Sequence, residues 1–250
     1  MIYAKKKWGQ NFLVDQNLLE KICNTCSLSK NDVVLEIGPG QGALTEKIIQ
    51  KTKNLTLVEI DPGLFSSLKE NKLFNDIKIL NQDILTTNPD ELTSNGQLVV
   101  IGNIPYNITS PIIFWLIDHK AHWKNSYLMV QKEYADRLIA KPKTKTYSRI
   151  TVMTNLHFKI KRCFNISPNV FHPRPKVNSS FIEIKQKEVP LNLDLKKYSQ
   201  IARLAFNQRR KMLRNSLSTL LNDKNSQEFD FTKRPEDLSV EEFIFLSKIL

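Results

Sequence analysis

From Val33 to Lys185 the chain alternates short apolar runs with amphipathic stretches, a rhythm that few folds accept. VVLEIG (33–38), LTLVEID (55–61), IKILNQDI (77–84), QLVVIGNI (97–104) and SYLMVQKE (126–133) read as strands. ALTEKIIQK (43–51), the PGLFSSLKEN stretch after Asp61, SPIIFWLIDH and YSRITVMTNL (147–156) read as helices. Such alternation predicts a parallel sheet wrapped on both faces. FKIKRCFNI (158–166) and NSSFIEIK (178–185) then read as a terminal antiparallel pair, and a helix over about 16–26 precedes the first strand.

Near residue 188 the pattern changes. Pro190 and the polar LNLD read as a linker, and KKYSQIARLAFNQRRKMLRNSLSTLL (196–221) as one amphipathic helical stretch, followed by the acidic DLSVEEFIFLSKIL. The expected organisation is an α/β domain over 1–187, led by a basic segment and helix (1–27), and a small all-α domain over 188–250. At 250 residues with 41% hydrophobic side chains the chain can bury a sizeable core. No apolar run approaches the roughly 18 residues of a membrane span. The basic start MIYAKKKWGQNF has no apolar segment behind it, so a cytoplasmic protein is expected.

The net charge of +12 is unevenly placed. Residues 1–100 hold 11 Lys/Arg against 12 Asp/Glu, whereas 101–250 hold 26 against 13. Between Arg137 and Ile182 there are ten bases and no acid. A surface of that kind attracts a polyanion. Cys23 and Cys26 have CxxC spacing but no second pair, and they read as small apolar residues on a helix rather than a zinc or redox site. His119 and His122 form an HxxH without a glutamate base and read as surface residues near a helix end; no metal site is expected.

The chemistry concentrates where strands end. The first closes in Glu36-Ile37-Gly38-Pro39-Gly40-Gln41-Gly42, where glycine permits positive φ and close approach of a ligand. Glu59 stands at the end of the second strand, where an acid can accept hydrogen bonds from a ribose diol. A dinucleotide site wants G-x-G-x-x-G. This chain has G-x-G-x-G with an acid two residues before it, which favours S-adenosylmethionine over NAD. Asp83, after the third strand, suits the adenine amino group. The fourth delivers Asn103-Ile104-Pro105-Tyr106. Pro removes an N–H and fixes the backbone, so an amide oxygen and a carbonyl can converge on an exocyclic amine while the Tyr ring faces a base.

The order Gly38-x-Gly40-x-Gly42, Glu59, Asp83 and [NDS]-x-P-[YF] resembles the amino-directed class I methyltransferases, with a Rossmann-like, mixed but mostly parallel sheet. More narrowly, Gly9-Gln10-Asn11-Phe12-Leu13, EIGPGQGALT, GNIPYNITSPI, MVQKEYADRL, FHPRPKVNSSF and FNQRRKMLRNSL resemble the bacterial 16S ribosomal RNA adenine N6,N6-dimethyltransferase family. These motifs span residues 9–217. The Erm methylases of 23S ribosomal RNA share QNF and NIPYNI, but the GPG turn, the VQKE strand and the QRRK helix fit the small-subunit enzymes better.

The resemblance implies a cofactor site of Asn11, Leu13, Gly38, Gly40, Glu59, Asp83 and Asn103. It implies a catalytic set of Asn103, Ile104, Pro105, Tyr106 and Phe171, with a flipped-out adenine stacked between Tyr106 and Phe171. Lys5, Lys6, Lys7, Arg174, Lys176, Arg209, Arg210 and Lys211 are the expected RNA contacts. The implied partner is 16S rRNA in a small-subunit precursor, met by a monomer during ribosome biogenesis. The alternatives are an Erm-type methylase and a non-catalytic RNA-binding assembly factor.

Overall fold

The computed structural model describes residues 9–93 and 96–250. Two compact units emerge, one from residues 1–135 with 161–186, the other from 136–160 with 187–250. The helical unit thus takes in 136–160 as well as the C-terminal segment.

The first unit is built on a seven-stranded sheet. Its strands are β2 (Val33–Ile37), β3 (Leu55–Val58), β4 (Lys78–Leu80), β5 (Leu98–Asn103), β6 (Trp123–Gln131), β7 (Phe158–Ile166) and β9 (Ser179–Gln186), in the order β4-β3-β2-β5-β6-β9-β7. β4, β3, β2, β5 and β6 run parallel, and β9 is antiparallel to β6. Every residue of β3 is buried, as befits a strand covered on both faces. β2 lies between β3 and β5, so the chain leaves it in opposite directions to reach its two neighbours. In open α/β sheets ligands bind in the crevice this reversal opens beyond the strands' carboxyl ends.

Helices α1 (Gln16–Thr25), α2 (Thr45–Ile48), α3 (Pro62–Glu70), α4 (Thr109–Asp118) and α5 (Lys132–Leu138) punctuate the strands. Asp15 caps α1, its Oδ1 accepting from the Leu18 N–H at 2.8 Å. Asp61 caps α3 with Pro62 at the first helical position. Two short strands, β1 (Phe12–Leu13) and β8 (Phe171–His172), pair antiparallel, Leu13 opposite Phe171. Cys23 on α1 and Cys26 at its C-terminal cap are buried, and burial raises both thiols' pKa. His119 follows α4 half-buried, one ring nitrogen 2.8 Å from the Trp115 carbonyl.

The second unit packs α6 (Arg149–His157), α7 (Leu195–Asn207), α8 (Leu213–Ser216) and α9 (Val240–Ile249) around Tyr147, Tyr198, Leu213, Leu217 and Phe243. The buried hydroxyls are satisfied: Tyr147 donates to the Leu238 carbonyl at 2.7 Å, and Tyr198 to that of Val152 at 3.1 Å. The expected single helix over 196–221 is not formed. α7 ends at Asn207, and residues 208–212 turn before α8. The Leu213 and Arg214 N–H groups donate to the Lys233 and Phe231 carbonyls, both at 2.9 Å, which redirects the chain so that Leu213 and Leu217 enter the core. Gln208, Arg209, Arg210 and Lys211 therefore lie in this turn rather than on a helix face.

Candidate active site

A pocket opens at the carboxyl ends of β2, β3 and β5, roofed by the segment 9–13. Its walls contain Gly38, Gly40, Glu59, Asp83, Asn103, Ile104, Pro105 and Tyr106, together with Asn11 and Leu13. Residues that the sequence spreads over nearly a hundred positions thus meet in one cavity.

The glycine turn is held from two sides. Gly40 sits at φ +59°, and a Cβ there would stand 3.0 Å from the Phe12 ring, so only glycine lets segment 9–13 close down on the turn. Its N–H donates to Glu59 Oε2 at 3.1 Å, and the Asp61 N–H donates to Oε1 at 2.9 Å. The Glu59 carboxyl is 4% exposed, and burial raises its pKa against the pull of those two donors. Gln10 Nε2 donates to Asp61 Oδ2 at 3.0 Å, so the roof also reaches the acid-bearing loop.

At the other end, Asn103 Nδ2 donates to the Asn11 carbonyl at 3.0 Å. That bond decides which way the amide faces, because turning it would set oxygen against oxygen. The acceptor Oδ1 is the end left for a guest. Asn11 Nδ2 in turn donates to the Gly9 carbonyl at 3.1 Å. Pro105 is extended (φ −56°, ψ 137°), carrying the chain past Ile104 before a single turn of 3-10 helix over Tyr106–Ile108. The Tyr106 hydroxyl lies 2.6 Å from Ser179 Oγ, which fixes its ring at the pocket wall.

Phe171 is not in that wall. It is 4% exposed, belongs to the hydrophobic core beside Leu13 and Ile166, and is tied by the β1–β8 pair. Phe181 lines the pocket together with Phe12 and Tyr106, brought there because β6 and β9 pair Met129 with Phe181, and both face it. No sequence spacing announces that pairing. Glu36, Ile60, Gln82 and Ile84 are also in the lining. The sequence flags only the first, as the acid before the glycine turn.

Arg174 and Lys176 are exposed on the loop after β8, and Arg210 and Lys211 on the turn after α7. Arg209 is different. It is half-buried, its Nε 2.7 Å from Glu236 Oε2, and it donates to the Thr144 carbonyl, so it serves the helical unit's own packing. Lys5, Lys6 and Lys7 lie outside the described residues. Among the described residues no cluster of His, Cys, Asp and Glu could hold a metal ion, and no helix is long and apolar enough to cross a membrane.

Residues 1–250 match the family described as ribosomal RNA adenine dimethylase. The ribosomal RNA small subunit methyltransferase A of Caldanaerobacter subterraneus subsp. tengcongensis is 41% identical over 261 residues, covering 99% of this chain and 97% of that protein. A dimethyladenosine transferase from Plasmodium falciparum superposes with a TM-score of 0.80 at 28% identity, covering 94% and 95% of the two chains. The 23S rRNA methyltransferase ErmE superposes with a TM-score of 0.73, also at 28% identity, covering 96% and 99%.

Proposed function

Because the chain belongs to the ribosomal RNA adenine dimethylase family, we propose that it dimethylates N6 of two adjacent adenosines near the 3′ end of 16S rRNA, using S-adenosylmethionine. The observation that carries this reading is the orientation of Asn103. With Nδ2 committed to the Asn11 carbonyl, its Oδ1 is the acceptor left for an exocyclic amine in an acid-lined pocket, where the Ile104 carbonyl would be the second. The small-subunit rRNA, rather than 23S rRNA, is favoured by the full-length relative at 41% identity, since the two solved structures are equally distant in sequence.

The pocket suits an adenosyl cofactor. Glu59 would take the ribose hydroxyls and Asp83 the adenine amine. The turn at Gly38 and Gly40 would lie against the amino-acid end, with Asn11, Leu13 and Asn103 closing the far side. When bound, S-adenosylmethionine supplies an electrophilic methyl group. Adenine N6 is a poor nucleophile, because its lone pair is delocalised into the ring. Accepting hydrogen bonds from its N–H groups, Asn103 and Ile104 draw N6 toward tetrahedral geometry and aim the lone pair at the donor. Tyr106 holds the base by stacking, a contact worth about 1–3 kcal/mol. The work is positioning and electrostatics. No side chain need act as a base, since the product ammonium loses its proton to water. The enzyme works as a cytoplasmic monomer on a small-subunit precursor, and Arg174, Lys176, Arg210 and Lys211 meet phosphates.

The deciding test is methylation of immature small subunits against protein-free 23S rRNA, read as N6,N6-dimethyladenosine by mass spectrometry. Product on 23S rRNA alone overturns the assignment. The Arg210→Glu/Lys211→Glu double variant leaves the Arg209–Glu236 pair intact. It should weaken particle binding and lower the log–log salt slope by about 1 for each lost phosphate contact. Unchanged binding at every salt concentration removes this turn from the RNA surface.

A further inference from the structure

Glu36 is the acid of this pocket that the mechanism leaves unused. Its side chain is 2% exposed, lines the cavity, and has one hydrogen-bond donor among the described residues, the Thr45 hydroxyl at 2.7 Å. Among the described residues no cation pairs with it. Toward β3 it faces Glu59, a second buried carboxyl. Toward α1 its charge reaches the thiols of Cys23 and Cys26, which burial keeps neutral. On α2 it meets Thr45, while Lys47 on that helix pairs with Glu20 at 3.6 Å. Its ladder partners are Leu57 on β3 and Ile101 on β5. The described pocket lining holds three carboxylates, Glu36, Glu59 and Asp83, and no Lys, Arg or His. In a chain of net charge +12, this is a cavity of the opposite sign.

We propose that Glu36 is the proton-linked counter-ion of the cofactor: protonated in the empty pocket, it ionises when the cationic methyl donor enters, so that binding expels a proton. The inference rests on the reading that the pocket takes S-adenosylmethionine. A buried carboxyl with one donor and an acidic neighbour favours its neutral form, and burial pushes the Glu36 pKa up to about 7. A cation placed in the same low-dielectric cavity reverses that preference. The proton leaves to solvent, and the positive charge of the donor replaces it.

The test is calorimetry of S-adenosylmethionine and of its thioether product S-adenosylhomocysteine in buffers of different ionisation enthalpy. Wild type and Glu36→Gln are compared from pH 6 to pH 8. Glutamine keeps an oxygen for the Thr45 hydroxyl but cannot ionise. Wild type should release up to about 0.9 proton per donor bound at pH 6, and its affinity should rise about tenfold by pH 8 beyond the change seen in Glu36→Gln. Release with the donor alone ties ionisation to the sulfonium; release with both ligands ties it to their shared ammonium. Either result supports the linkage. Equal proton release and equal pH dependence in the two proteins overturn it. If neither ligand binds at any pH, the cofactor reading itself fails, which is a different result. The empty protein gives a second readout. Its folded state keeps a proton that the unfolded chain has lost between about pH 4.5 and 7, so wild-type stability should fall as pH rises from about 4.5 to 7 and level off above, and Glu36→Gln should flatten that fall.

Discussion

Asn103→Ala should lower the rate of methyl transfer by about 10²–10³-fold, the scale on which loss of one preorganised polar group at a reacting centre is felt. Truncation removes the Oδ1 acceptor and also the Nδ2 donor that holds the Asn11 carbonyl at 3.0 Å. The second loss costs only about 1 kcal/mol, the net worth of an ordinary hydrogen bond. Cofactor affinity should therefore fall roughly fivefold, and RNA affinity should hold. Asn103→Asp separates the two effects. It restores an acceptor but cannot donate to Asn11, so its carboxylate is repelled by the carbonyl that orients the amide. It should remain well below wild type although acids occupy this place in related amine methylases. Single-turnover transfer to small subunits, with affinities measured separately, checks both variants. If Asn103→Ala keeps more than a tenth of the wild-type rate, the amide is not what grips N6.

The sequence disclosed most where a strand is buried on both sides. Leu55–Val58 and Leu98–Asn103 form as their apolar runs imply, because a parallel strand covered on two faces admits little else. Elements beside the pocket came out shorter than their hydropathy suggests. The stretch 77–84 yields a strand only over Lys78–Leu80. Asn81 then turns its amide to the Glu59 carbonyl at 2.8 Å, and Gln82 and Asp83 leave the ladder to line the cavity. The helix expected over 43–51 contracts to Thr45–Ile48 because its first residues are spent on the glycine turn. Contacts that bridge distant segments had no local signal. The Asn11–Asn103 bond spans 92 positions. The pairing of β6 with β9, which seats Phe181 at the pocket, likewise has no local signal.

Gly42→Ala should destabilise the sheet unit strongly. Gly42 sits at φ +85°, where an L side chain is strained by about 1–3 kcal/mol. A Cβ there would also stand 2.7 Å from Phe74 Cε2, 2.8 Å from its Cζ and 3.2 Å from a Leu68 methyl. Phe74 is 2% exposed and packed in the main core, so the ring has little room to yield. Overpacking of this kind adds about 1–3 kcal/mol. Together they approach half of a typical domain's 5–15 kcal/mol. The chemistry suffers too. The Gly42 N–H donates to the Pro39 carbonyl and its own carbonyl accepts from the Glu46 N–H, both at 2.9 Å, so a shifted Gly42 moves the Gly40–Glu59 bond and the start of α2 with it. Gly96 supplies the comparison, since it has φ +88° but no atom within 4 Å of a Cβ. Gly96→Ala thus carries backbone strain without a collision. Trp115 and Trp123 lie in the unit that holds both glycines, and their fluorescence in a urea titration follows it. Gly42→Ala should lower the midpoint and weaken S-adenosylmethionine binding, while Gly96→Ala lowers the midpoint less and leaves binding unchanged. Equal midpoints for the two variants would mean that φ alone selects glycine at 42 and that its contact with Phe74 does not anchor the cofactor turn.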